Sequence, residues 1–113
     1  MTQVIEKDKY GNQCYRNEKN EWHRTDGPAI EYSNGDKEWL IHGVLHREDG
    51  PAVECANGTK AWYINGKQHR LDGPAVERPG GRNEWWINDQ EFSEAAFNMV
   101  QSVIVDGVIY QLH

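Results

Sequence analysis

Three imidazole–guanidinium pairs, His23-Arg24, His46-Arg47 and His69-Arg70, recur at an interval of 23 residues. Each arginine has an aspartate two positions later: Asp26, Asp49 and Asp72. A column of indoles, Trp39, Trp62 and Trp85, keeps the same interval. Guanidinium and imidazole donors beside aromatic faces suit a phosphate joined to a base or a sugar, since arginine meets oxyanions with two parallel bonds and rings stack on rings.

Other chemistries fit less well. Neighbouring strands lie about 4.8 Å apart, so equivalent atoms in successive hairpins are roughly 10 Å apart. His23, His46 and His69 therefore cannot converge on one ion whose ligands sit near 2 Å. His42 and His46 have the spacing of a zinc-binding helix, but Gly43 and its turn chemistry oppose a helix there. No Gly-x-Ser-x-Gly elbow or phosphate loop is present, and an enzyme needs one asymmetric constellation where this chain offers near-equal copies. No catalytic residue, metal ligand or cofactor is assigned. A phosphodiesterase-like role for one His-Arg step is the competing reading.

Residues common to all copies are expected to hold each unit together, and residues that differ to meet a partner. The frame is thus His23, Arg24, Asp26, His46, Arg47, Asp49 and Asp72, with Trp39, Trp62 and Trp85 as the ladder of the core. The aspartates are expected to bond backbone amides or the arginines. Gly27, Gly50 and Gly73 are expected to supply a turn geometry that other residues resist. Ligand contact is assigned mainly to the third copy, which is the least acidic: His69, Arg70, Arg78 and Arg82 for phosphates, and Trp86 or, from the second copy, Tyr63 for stacking. Leu40, Tyr63 and Trp86 form a column facing away from the tryptophan ladder and grow more aromatic along the chain. Trp86 has a rival reading, cover by the C-terminal helix through Phe92 or Phe97.

The elements that position these groups follow from the whole repeated unit. His-Arg-x-Asp-Gly-Pro-Ala starts at His23, His46 and His69, and Gly35, Gly58 and Gly81, Ile41, Ile64 and Ile87, and Glu31, Glu54 and Glu77 keep the period. A period of this length means one small unit copied and stacked. An extended run Ala29–Tyr32, a turn at Ser33–Asp36, a second run Lys37–Ile41 and a turn near Gly43 make each unit a β-hairpin. Asn34-Gly35 and Asn57-Gly58 are strong hairpin turns, and Gly80-Gly81 replaces them in the third copy. Pro28, Pro51 and Pro74 open strands, where a missing N–H costs least. A two-residue turn at Asn34-Gly35 would set Glu31 opposite Glu38, which is unfavourable. Either the turn is longer, or an Arg or His lies between the carboxylates.

The expected fold is all-β, an array of antiparallel hairpin repeats with a meander or solenoid-like form, in a single domain over residues 1–113. Residues 1–22 read as a degenerate half-repeat, with Tyr10-Gly11 as its turn, Tyr15 in the tryptophan position and Asn17–Asn20 as a second turn. Residues 23–91 hold three repeats. Residues 92–113 form a cap: Ser93 starts a helix to about Gln101 with Phe97 and Val100 on one face. Ser102–Val105 and Val108–Leu112 then make a final hairpin around a type I′ turn at Asp106-Gly107. This apolar hairpin must pack on the array or form a homo-oligomer interface.

Composition narrows the partners. The 113 residues carry a formal charge of −6 and are 27% charged. An acidic surface repels phosphate backbones, so no nucleic-acid polymer is expected. No membrane span or secretory signal is visible, and Cys14 and Cys55 read as reduced thiols of a cytoplasmic protein.

Gly43-Val44-Leu45-His46 and Asn65-Gly66-Lys67-Gln68-His69 look like the Gly-x-x-His step of the MORN family, although Arg47 stands where that family has Gly. The chain more closely resembles a family of HRxDGPA repeat proteins common in bacteriophage genomes, matched over residues 23–91. That resemblance implies the hairpin array and a phage origin, hence the cytoplasm of a host cell. Two functions are expected on this basis, both without catalysis. One is a sponge that sequesters a host immune signalling nucleotide, such as a cyclic oligonucleotide or an ADP-ribose derivative. The other is a module whose acidic, ridged face binds and inhibits or scaffolds a host protein.

Overall fold

The computed structural model describes residues 4–101, 104–105 and 108–109. The architecture is mostly antiparallel β-sheet with a short C-terminal helix. Its strands are β1 (Val4–Lys7), β2 (Gln13–Arg16), β3 (Ile30–Glu31), β4 (Lys37–Glu38), β5 (Leu40–Ile41), β6 (Val44–Leu45), β7 (Val53–Glu54) and β8 (Lys60–Ala61). They continue as β9 (Tyr63–Ile64), β10 (Lys67–Gln68), β11 (Val76–Glu77), β12 (Trp85–Ile87) and β13 (Gln90–Phe92), then α1 (Glu94–Gln101), β14 (Ile104–Val105) and β15 (Val108–Ile109). One sheet runs β1-β2-β3-β4-β7-β8-β11, and β5-β6, β9-β10, β12-β13 and β14-β15 form separate pairs.

The expected single hairpin per unit is thus incomplete, because the run Lys37–Ile41 is two strands. Lys37-Glu38 stays in the large sheet, while Leu40-Ile41 leaves to pair with Val44-Leu45. The switch falls on the tryptophan. Trp39 donates its N–H to the carbonyl of Ala52 at 2.7 Å and accepts from the N–H of His46 at 3.1 Å. Its two backbone groups serve different segments, so neither strand can run through it. Trp62 repeats the pattern with Ala75 and His69.

The register removes the clash of glutamates. Glu31 faces Lys37, not Glu38, because the loop holds one residue more than a two-residue turn. Gly35 donates to the carbonyl of Tyr32 at φ 99°, the left-handed position that closes such a three-residue loop. The shift also carries across the sheet: Lys37 faces Glu54, Glu54 faces Lys60 and Lys60 faces Glu77. Opposite charges therefore alternate along one row, a favourable cross-strand pattern.

The second turn of each unit has both central residues at positive φ: His42 and Gly43, Asn65 and Gly66, Asn88 and Asp89. This is the type I′ geometry that suits a two-residue hairpin. Each such hairpin bonds back to the preceding one. Gly43 donates to Trp22, Gly66 to Leu45 and Asp89 to Gln68, at 2.8, 2.8 and 2.9 Å.

The core lies between these rows and is thin. Ala29, Ala52 and Ala75 are fully buried, and Ile30, Leu40, Val76 and Ile87 nearly so. Cys14, Trp22, Tyr32 and Leu45 pack around Ala29, Ile30 and Leu40. Trp39, Trp62 and Trp85 are only half-buried, so the core ladder expected of them is instead the alanine column with Leu40 beside it. Trp39 and Trp62 instead lie under Arg47 and Arg70.

The described residues before His23 form a hairpin and a turn. The β1-β2 hairpin closes through Asp8–Asn12, Tyr15 donates to Ala29 as the tryptophans do in later units, and Asn17–Asn20 form the second turn. At the other end α1 starts where a fourth heptapeptide would stand. Ser93 caps it by accepting from the N–H of Ala96 at 3.1 Å, and Phe97 is 2% exposed. Ile104-Val105 pairs with Val108-Ile109 as a final hairpin; its turn at 106–107, and most of the proposed oligomer interface, lie outside the described residues. Among the described residues no helix is long and apolar enough to cross a membrane. Cys14 and Cys55 are free, half-buried thiols, and burial pushes both up from their ordinary range.

Candidate functional site: repeated grooves between the heptapeptide loops

Each residue of the heptapeptide except the third has a visible task. The histidine Nδ1 accepts the backbone N–H of the residue 19 positions on: His42 for His23, Asn65 for His46 and Asn88 for His69, at 3.0, 3.0 and 3.1 Å. Accepting there places the proton of the neutral ring on Nε2. The arginine lies over the aromatic ring of the preceding unit. Arg24 sits 4.0 Å from the Tyr15 centroid, Arg47 4.0 Å from Trp39 and Arg70 3.8 Å from Trp62.

The aspartate then fixes the guanidinium. Arg24, Arg47 and Arg70 donate Nε–H to Asp26, Asp49 and Asp72 at 2.9, 3.0 and 2.8 Å, and Nη1 to the carbonyls of Pro28, Pro51 and Pro74. Arg47 and Arg70 add Glu54 and Glu77. The bond from Arg24 holds the Asp26 carboxyl below its usual range. The glycine provides clearance, which corrects the expected turn geometry. Gly27, Gly50 and Gly73 do not take positive φ; a Cβ on each would lie 2.8, 2.9 and 2.9 Å from the arginine Cζ. The guanidinium is clamped between an aromatic ring and a bare backbone.

Successive loops leave grooves between them. The first, of about 790 Å³, is lined by Arg24, Asp26, Trp39, Arg47, Glu48 and Asp49, among others. The second, of about 770 Å³, is lined by Arg47, Glu48, Asp49, Trp62, Arg70 and Asp72, with His69 and Leu71. Adding 23 to the lining of the first reproduces that of the second apart from Pro51, so they are copies of one site. The arginine side chains are 19–23% exposed, whereas Asp26, Glu48, Asp49 and Asp72 are 77–88% exposed. Positive charge is therefore turned inward and negative charge faces the solvent.

Among the described residues, those assigned to ligand contact fall in different grooves. His69 and Arg70 line the second groove, where Arg70 is already bound to Asp72, Pro74 and Glu77. Burial holds the His69 imidazole below its ordinary value. Arg78 and Arg82 line a separate cleft of about 640 Å³ at the tip of the third hairpin, with Gly80, Asn83 and Glu84. Arg78 bonds Glu84 at 2.7 Å, and Trp86 Nε1 donates to the other oxygen of that carboxylate at 2.8 Å. Those two bonds keep Glu84 below the usual carboxylate range, the Trp86 bond foremost. Arg82 is exposed; its carbonyl accepts from Arg78 Nη1 at 2.8 Å, and its guanidinium has no partner among the described residues. Tyr63 belongs to β9, facing Gln68, and burial raises its phenol.

The third position of the heptapeptide was missed. Thr25, Glu48 and Leu71 line the grooves and differ from copy to copy, which is the signal expected of partner-reading positions. Trp39 and Trp62, assigned to the frame alone, also form groove walls. His42 bonds Glu21 and Asn17 and lies 4.6 Å from the His23 ring. Among the described residues no group of three or more His, Cys, Asp or Glu is placed to hold a metal ion.

The described residues thus form a mostly antiparallel β-sheet architecture with a short C-terminal helix and two grooves of equivalent lining. No protein-family model, curated protein or solved structure matches the chain.

Proposed function

We propose that this chain is a non-catalytic binding protein whose repeated grooves dock a segment of another protein. In the phage setting implied by the heptapeptide resemblance, that partner is a host protein held in an inhibited or scaffolded state. The repeats act as a short solenoid, and the ridge Arg47-Glu48-Asp49 is the wall common to both grooves. The observation that carries this reading is the copying itself. Two nearly equal cavities with the same wall residues 23 positions apart suit a ligand that extends across units. A photo-crosslinking residue at position 48 should yield one discrete protein adduct in host cells, and the same residue at position 60, on the large sheet, should not. Equal adducts from both positions, or none from position 48, would refute it.

Nucleotide sequestration is the second reading, favoured by the cleft at the third hairpin tip and by the guanidinium of Arg82, which has no partner among the described residues. Incubating the protein with a panel of host signalling nucleotides, followed by heat denaturation, tests it. A nucleotide depleted and then released intact supports the sponge, a cleaved one points to an enzyme, and no depletion removes this reading.

A further inference from the structure

We infer that the segment docked in the grooves is an extended polyproline-II stretch with a basic side chain at every third position. This rests on the proposed groove function and names the chemistry of its partner.

The spacing of the grooves is set by the sheet. Equivalent strands β3, β7 and β11 are two strands apart in the order β3-β4-β7-β8-β11. At about 4.8 Å per strand, equivalent points repeat at roughly 9.6 Å. A polyproline-II helix has three residues per turn and rises about 3.1 Å per residue, so it presents one face every 9.3 Å or so. A β-strand returns to the same face after about 6.8 Å, and loses register at the second groove. An α-helix returns after seven residues, about 10.5 Å, but its body of 10–12 Å would have to ride above the ridge. Polyproline-II also leaves its carbonyls without internal partners, free to accept from donors on the groove walls.

Charge selects the side chain. The first groove holds Asp26, Glu48 and Asp49 against Arg24 and Arg47, and the second holds Glu48, Asp49 and Asp72 against Arg47 and Arg70. Each has one carboxylate in excess, and the carboxylates are the exposed partners while the guanidinium groups are clamped. Glu48 makes only a 3.6 Å contact with His46, so its charge is the one best placed for an incoming ammonium or guanidinium. An incoming anion would meet these carboxylates first.

The test uses the full chain and labelled peptides with a proline-rich backbone, measured by fluorescence anisotropy. One carries lysine at every third position; a second has the same composition with lysine at every second position in blocks; a third has glutamine for lysine. A helical peptide with lysine at every seventh position completes the set. The period-three basic peptide should bind at least tenfold more tightly than the others. Glu48→Lys, which alters both grooves, should weaken it by tenfold or more without moving the melting temperature. Equal binding of the first two peptides, both lost with Glu48→Lys, overturns the register while leaving the groove function standing. Equal binding of the glutamine peptide overturns the charge assignment, and tighter binding of the helical peptide overturns the conformation. Binding that ignores Glu48→Lys removes the groove function as well.

Discussion

Replacing Gly50 by alanine should cost about 2 kcal/mol, although the substitution adds one methyl group to a loop. The new Cβ would stand 2.9 Å from Cζ of Arg47, where real Cβ atoms do not sit. A flexible arginine normally yields, but this one is already 4.0 Å from the Trp39 centroid and has no room to retreat. It must slide sideways, away from Pro51 and Glu54, which share Nη1 at 3.0 and 3.1 Å. Losing one hydrogen bond from a charged group costs about 1.5 kcal/mol, and a displaced guanidinium forfeits roughly 0.5 kcal/mol of its interaction with the ring. For a chain of this size the melting temperature should fall by roughly 10 °C. Gly80→Ala is the control, since a Cβ there meets nothing within 4 Å and φ is not positive; it should be neutral or slightly stabilising. Calorimetric melts of both variants, and of Gly50→Ala combined with Arg47→Ala, form the assay. With the arginine gone the added methyl should cost nothing more, a coupling visible in a double-mutant cycle. If Gly50→Ala melts like Gly80→Ala, or costs as much without Arg47, the clamp is not what requires glycine.

Three further outcomes are expected. The folded-state pKa of His69 lies below the unfolded value of about 6.5, so its contribution is present above that value and is lost as pH falls through the folded pKa; His69→Gln, which still accepts the Asn88 N–H without titrating, should flatten the fall in melting temperature between pH 7 and pH 5. Glu84→Ala removes the partner of both Arg78 and Trp86, and should lower stability by about 1–2 kcal/mol while shifting tryptophan emission; an unchanged spectrum would contradict the bond. Ser93→Ala deprives the Ala96 N–H of its cap and should cost about 1 kcal/mol, whereas Ser93→Asp should restore it, as read from denaturant melts.

The chain announced its units and turns because those depend on local backbone preferences. Asn34-Gly35 closes a hairpin wherever it stands, and Ser93 caps a helix by reach alone. Tyr15 was placed at the tryptophan position, and it does lie under an arginine, Arg24, as Trp39 and Trp62 lie under theirs. The split at Trp39 was not legible, because it arises from bonds to Ala52 and His46, which lie in different segments of the next copy. Nor was the role of Gly50: clearance for a side chain looks the same in a sequence as freedom of φ. The assigned ligand set divides between two grooves, His69 and Arg70 in one and Arg78 and Arg82 in another, because periodicity fixes which residues are equivalent and not which of them line one cavity. Thr25, Glu48 and Leu71 carry the variability that marks partner-reading positions, but the sequence alone does not show that the third heptapeptide position lines a groove.

Placing each arginine on the ring of the unit before it has an optical consequence. Trp39 and Trp62 are each covered by a residue of the following copy, so the light each emits depends on whether that copy is seated. Chains retaining one indole at a time would report the opening of individual junctions without any dye. Fraying that starts at one end would be seen as a sequence of colour changes, ordered along the molecule.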